Sequence, residues 1–247
     1  MQIGFSTGSL ALGDFRRGLK MARRRRVSAI ELSALREGEL DPLLASLDSL
    51  QGELAQFEYV SLHAPSRLES LSERYVTDAL HAVAARDWPI VVHPDIICDF
   101  ALWRRLGRAV CIENMDKRKR IGRTALQLGQ FFDELPDATF CFDIGHARQV
   151  DPTMHEAQTF LRCFHDRLRQ VHMSYVNSRG GHERLNFESV VAFSRVTSWI
   201  SDKVPVILET PVASDMIDEE VAAARRLLMV VIQARRLALQ GRGRSIV

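Results

Sequence analysis

Apolar residues in this chain come in short runs, and each run is followed by a longer stretch in which apolar positions recur every three or four residues. The runs lie at 2–5, 27–32, 57–62, 89–93, 109–112, 139–142, 168–172 and 204–208. Compact apolar runs of this kind mark strands buried on both faces, whereas the three-to-four period marks helices that cover a sheet. Helices are expected at 14–26, where Asp14 can cap the first turn, at 41–51, from Ser66 to 86, and at 100–107, 123–135, 154–167, 187–200 and 216–239. Eight strand–helix units in 247 residues predict a single-domain (β/α)₈ TIM barrel over 1–239, with a small basic tail at 240–247. A doubly wound sheet is the alternative, but no G-x-G-x-x-G follows the first run and no linker divides the chain.

Composition agrees with a large core: 46% of residues are hydrophobic and 26% are charged. A net charge of +2 carries no global nucleic-acid signature, so local clusters have to answer that question. The four arginines at 23–26 suit the negative end of a helix. Cys98, Cys111, Cys141 and Cys163 form no C-x-x-C pair, and two of them fall inside apolar runs, so reduced, buried thiols are expected. The first residues lack a charged start and a long apolar run, and no segment reaches membrane-spanning length. A cytoplasmic location without membrane contact is the expectation.

In a barrel, the carboxyl ends of all eight strands converge on one face. Reading the residues off those ends gives His63, His93, Glu113, Asp143, His172 and Glu209, while His146 and His182 follow in loops. Six consecutive strands each delivering a metal-ligand type is a pattern that isolated capping residues do not produce. Glu, Asp and His ligation suits Mn²⁺, Mg²⁺ or Co²⁺, and additional imidazoles shift the preference towards Zn²⁺ or a multinuclear site. His81, His155 and His165 lie in helix candidates and are read as ordinary packing or surface residues.

The ordered segments Ser61-Leu-His63-Ala-Pro, Val91-Val-His93-Pro, Ile112-Glu113-Asn114, Phe142-Asp143-Ile-Gly-His146-Ala, Val171-His172-Met-Ser and Ile207-Leu-Glu209-Thr resemble the xylose-isomerase-like TIM-barrel superfamily. That group contains sugar and sugar-phosphate isomerases and epimerases, and endonuclease IV. The resemblance covers essentially the whole chain. In the isomerase branch it implies that Glu113, Asp143, His172 and Glu209 hold one divalent ion, with His146 in or beside the ligand set. Glu113 and Glu209 would also move the substrate proton through an enediolate. In the endonuclease branch the same four residues, with His63, His93, His146 and His182, would build a zinc cluster that cleaves a phosphodiester.

Two departures matter. The acidic residue that many relatives carry two before the loop histidine is Gly180 here, and Glu183-Arg-Leu-Asn186 replaces a glycine-rich stretch. The first weakens one position of a full cluster, so a single ion (Mn, Mg, Co or Zn) is expected. His63 and His93, apart from the quartet in barrel order, then line the substrate pocket with Arg179, His182 and Lys117. The basic stretch Lys117-Arg118-Lys119-Arg120 after Glu113, with Arg67, Arg148, Arg179 and Arg184 in other loops, suits a phosphorylated substrate or a nucleic-acid backbone. No aromatic residues interleave it to stack bases. The expected activity is isomerisation or epimerisation of a small sugar or sugar phosphate. A phosphodiester-cleaving DNA-repair nuclease is the alternative, which makes nucleic acid the less favoured partner. An inactive barrel serving as a binding protein stands behind both.

Overall fold

The computed structural model describes residues 1–25 and 27–242. Eight parallel strands close into a barrel: β1 (Ile3–Ser6), β2 (Ala29–Ser33), β3 (Tyr59–His63), β4 (Ile90–Val92), β5 (Val110–Glu113), β6 (Thr139–Asp143), β7 (Leu168–Met173) and β8 (Val206–Leu208). Each strand pairs with its sequence neighbours, and β8 closes the ring against β1 with Gly4 opposite Ile207. The expected (β/α)₈ barrel is the observed one.

Alternation along the strands separates two environments. Ile3, Phe5, Ile30, Leu32, Leu62, Ile90, Val92, Ile112, Phe140, Phe142, Val206 and Leu208 belong to the main core shared with the surrounding helices. The apolar part of the barrel interior is small, a separate cluster of Val91, Cys111 and Cys141. Much of the remaining interior is polar: Glu31, Ser61, Gln170 and His172 are fully buried. Gly4 is required where β1 meets β2, since a Cβ would sit 1.6 Å from the carbonyl oxygen of Ala29.

Most helices start at the caps their sequences offer. Asp14 accepts from the Arg17 amide at 2.9 Å, Thr124 from Gln127 at 3.3 Å, and Asn186 from Ser189 at 2.9 Å. Some expectations change. The long helix after β3 begins at Glu73 under a Ser72 cap, not at Ser66, because residues 64–71 form a loop tied to Glu37. The helix expected at 41–51 is instead Glu37–Leu44, with a separate turn at Gln51–Leu54. The segment after β6 is a helix, Ile144–Val150, so His146 stands on a first helical turn rather than in a loop. The last helix, Ile217–Arg242, runs into the stretch expected as a tail, and 243–247 lie outside the described residues, as does Arg26 of the arginine run. Among the described residues no helix is long and apolar enough to cross a membrane. All four cysteines are free, with Cys111 and Cys141 buried and Cys98 and Cys163 exposed.

Candidate metal centre

Glu113 ends β5 and is 1% exposed. Both of its oxygens meet imidazoles. Oε2 lies 3.4 Å from His63 Nε2 and 3.2 Å from His93 Nε2, and Oε1 lies 3.1 Å from His172 Nδ1 and 3.5 Å from His146 Nδ1. Two groups of ligand atoms, each within 4.8 Å of one another, form around it: His63, His93 and Glu113, and Glu113, Asp143, His172 and Glu209. They share Glu113. The expected separation of His63 and His93 from the quartet therefore does not hold in space. Strands β3, β4 and β5 are adjacent in the ring, and the length of the glutamate side chain spans the remaining gap.

The backbone around the cluster fixes each ligand. Asn114 donates through Nδ2 to the Asp143 carbonyl at 2.8 Å and accepts the Asp143 amide on Oδ1 at 2.8 Å, which extends the β5–β6 pairing by one side chain. Asp143 caps the following helix, its Oδ1 accepting the His146 amide at 2.6 Å. His63 Nδ1 lies 2.7 Å from the carbonyl oxygen of Ala64 and His146 Nδ1 lies 3.0 Å from that of Asn114; as donors there, both rings turn Nε2 into the cavity. His172 is held from below: its Nε2 faces Glu31 Oε2 at 3.0 Å, which leaves Nδ1 directed at Glu113 and at Glu209, 3.5 Å away.

The charges are crowded and desolvated. Burial pushes the Glu209 carboxyl well above the usual carboxylate range against the pull of His172, with Glu113 and Asp143 adding to the rise. Burial also raises Asp143, opposed by His146 and reinforced by Glu113. Burial would raise Glu113 too, but His172, His63 and His93 outweigh it and hold the carboxyl well below its usual range. His182 is depressed to about 3 by burial and by His146, and its Nδ1 lies 2.8 Å from Ser174 Oγ and 3.5 Å from Glu209 Oε2. Glu113 Oε2 and Asp143 Oδ2 are buried without a hydrogen-bond partner. An arrangement that gathers carboxylates and imidazoles yet leaves buried oxygens unsatisfied fits a divalent cation.

The cavity above these residues has a volume of about 270 Å³ and is lined by His63, His93, Glu113, His146, His182 and Glu209, with Arg67, Arg118 and Lys119 at its rim. A larger hollow of about 680 Å³ opens at the opposite end of the barrel, beside Tyr59, Trp88 and Arg169. It has none of the ligand groups, so the chemistry belongs to the smaller cavity.

Neither family models nor curated protein sequences match this chain. Solved structures do match in shape. A D-allulose 3-epimerase from Methylomonas sp. shares 18% identity at a TM-score of 0.55 over 92% of this chain and 90% of that one. A probable 3-DHS dehydratase from Bacillus anthracis shares 12% at a TM-score of 0.64 over 91% and 99%. Endonuclease IV from Thermus thermophilus shares 17% at a TM-score of 0.55 over 95% and 100%. The fold is that of the xylose-isomerase-like TIM barrels.

Within this xylose-isomerase-like barrel the eight strand-end and loop residues, His63, His93, Glu113, Asp143, His146, His172, His182 and Glu209, come together at one centre. Lys117 and Arg179 do not join them. Lys117 is exposed and its amide donates to Gln149 Oε1 at 3.1 Å, and Arg179 sits exposed in the turn organised by Asn177. Sequence reasoning missed Glu31, Gln170, Asn114 and Asp116 as parts of the site. Glu31 had a signal: an acid inside a buried apolar run needs a partner of its own. That partner, His172, is 141 residues away.

Proposed function

We propose that this protein is a metal-dependent phosphoester hydrolase that works with two divalent ions sharing Glu113. The observation that supports this reading is the engagement of Glu113 on both oxygens, one towards His63 and His93 and the other towards His172 and His146. A buried carboxylate that faces imidazoles on both oxygens, with Oε2 left without a hydrogen-bond partner, suits a bridge. It does not suit a base that must swing to a substrate carbon and back, which an enediolate mechanism would ask of it. His63, His93 and Glu113 would hold one ion, and Glu113, Asp143, His172 and Glu209 the other. Paired divalent ions supply positive charge to both the attacking and the leaving oxygen of a displacement at phosphorus.

The chain's own residues do the rest. Glu31 fixes the ring of His172 from below, and Asn114 fixes the backbone of Asp143. His182, kept neutral by burial and by His146, borders the cavity as a hydrogen-bonding group without charge. Arg67 and Arg118 turn guanidinium groups towards an anionic substrate in the cavity.

Sugar isomerisation or epimerisation is the second reading, and Glu209 favours it. This carboxylate is partly exposed at the cavity wall, and burial gives it a raised proton affinity. An endonuclease and an epimerase both stand among the similar folds, so the fold does not choose between them. Two assays on one preparation decide. Metal analysis at saturating Zn²⁺ or Mn²⁺ is expected to give two ions per chain, with hydrolysis of bis(4-nitrophenyl) phosphate or cleavage of an abasic-site duplex. One ion per chain, with solvent deuterium entering a ketose and no phosphoester cleaved, reverses the assignment. An Asp143→Ala variant with the same negligible metal as the wild type sinks both.

A further inference from the structure

Gly180 lies in the loop between β7 and β8, with φ at +80°, a conformation side chains other than glycine adopt at a cost. A Cβ there would lie 2.2 Å from the guanidinium carbon of Arg118. The space left by the missing side chain is therefore occupied by a cation. Arg118 reaches it from the loop after β5. Its Nε and Nη2 both donate to Asp116 Oδ2, the former at 2.8 Å, and its amide donates to Asp116 Oδ1 at 2.8 Å.

Asp116 is 2% exposed, and its Oδ2 lies 3.9 Å from His146 Nε2. A buried carboxylate thus clamps one edge of the guanidinium. The side chain as a whole stays 54% exposed and lines the cavity next to His146 and His182. The neighbouring cations differ. Lys119 is neutralised by Asp95 at 2.6 Å, whereas Arg67, across the same cavity, has no carboxylate partner among the described residues.

A guanidinium held on one edge and open on the other is preorganised to take two oxygens of a tetrahedral anion at once. We infer that Arg118, backed by Arg67, is a phosphate-binding residue of the catalytic cavity, and that the substrate carries a phosphate group seated on the free edge of the guanidinium beside His146 and His182. The inference rests on reading this cavity as the substrate site. It holds for a hydrolysed phosphoester and for an isomerised sugar phosphate alike.

The test is calorimetric titration of metal-loaded protein with inorganic phosphate, with acetate as the planar, singly charged comparison. Removing a charge-assisted pair is expected to weaken phosphate about ten- to a hundredfold in Arg118→Gln, and Arg118→Lys recovers part of the loss. Gly180→Ala keeps the charge but drives the guanidinium from its seat, so it also weakens phosphate; if it fails to fold, the two Arg118 variants decide. No phosphate binding by the wild type overturns the inference. So does an Arg118→Gln affinity within twofold of wild type, or acetate bound as tightly as phosphate. Metal content of the same samples reports separately: a wild type without ions refutes the metal reading, while the comparison of variants still judges Arg118.

Discussion

Glu31 is the residue on which the rest of the centre leans, although it is fully buried and does not line the cavity. Its Oε2 meets His172 Nε2 at 3.0 Å, accepts from Gln170 Nε2 at 2.7 Å and from Ser61 Oγ at 3.2 Å. Burial alone would raise this carboxyl, but His172, His63 and Gln170 together outweigh burial and keep it below its usual range. An ionised partner on the far side of the ring fixes the tautomer and raises the donor strength of Nδ1. Replacing Glu31 by Gln is therefore expected to lower the affinity for the ion on the Asp143 side about 10–100-fold, with the ion on the His63 side held as before. Competition with a metal indicator at two sites measures this, and equal weakening of both ions would contradict it. The strand-end ligands were legible in the sequence because the end of an apolar run is visible in one dimension. Glu31 was not, because its importance comes from depth in the barrel, two residues below the end of β2, and depth is set by partners on β3 and β7.

At the scale of elements, the short strands were legible because two-sided burial forces compact apolar runs, and the helix starts were legible where the cap is local. The failure at Ser66 comes from a distant partner. Ser66 has the chemistry of a cap, but Glu37 captures the loop that follows it, accepting the amides of Glu69 at 2.7 Å and Leu71 at 2.8 Å together with both groups of Ser70. The helix at Ile144–Val150 was hidden by its glycine, which reads as a turn until the Asp143 cap is seen. Glu37 also yields a pH prediction. Hydrogen bonds from the Ser70 hydroxyl and the Leu71 amide lower its carboxyl to about 2 from an ordinary value of 4.5. A lowered folded-state value means that the stabilising contribution is present above pH 4.5 and fades as pH falls towards 2. The loop carrying Arg67 should loosen in that window. Hydrogen–deuterium exchange of the loop amides, corrected for the intrinsic pH dependence of exchange, is expected to rise as pH falls from 4.5 towards 2 in the wild type, whereas Glu37→Gln gives a loop already open at neutral pH and a nearly flat profile below it. A wild-type profile as flat as the variant's would remove Glu37 as the clamp.

At the scale of the molecule, the barrel carries a large outer core and a polar, charged interior, and that imbalance makes ion binding a contribution to folding. With ligand at a hundredfold excess over its dissociation constant, binding stabilises by about 2.7 kcal/mol, equivalent to roughly 5–10 °C in Tm for a chain of this size. Chelation should lower Tm by that much and refilling with Zn²⁺ or Mn²⁺ should restore it; a Tm indifferent to chelator would mean that the cluster binds no ion in the native state. The line Tyr59–Gln170–Glu31–His172 has a consequence of a different kind. Tyr59 donates to Gln170 across 111 residues of chain, and Gln170 and His172 reach Glu31 across 139 and 141. The first half of the chain therefore buries an acid whose two closest partners, Gln170 and His172, are supplied by the second half. A nascent half-barrel of β1–β5 buries Glu31 without the Gln170 and His172 contacts that hold it in the closed barrel. Assembly becomes all-or-none: fragments cut between β5 and β6 should each stay unfolded alone and recover helical circular dichroism only when mixed, and Glu31→Leu, which frees the first half from its debt, should let that fragment collapse by itself.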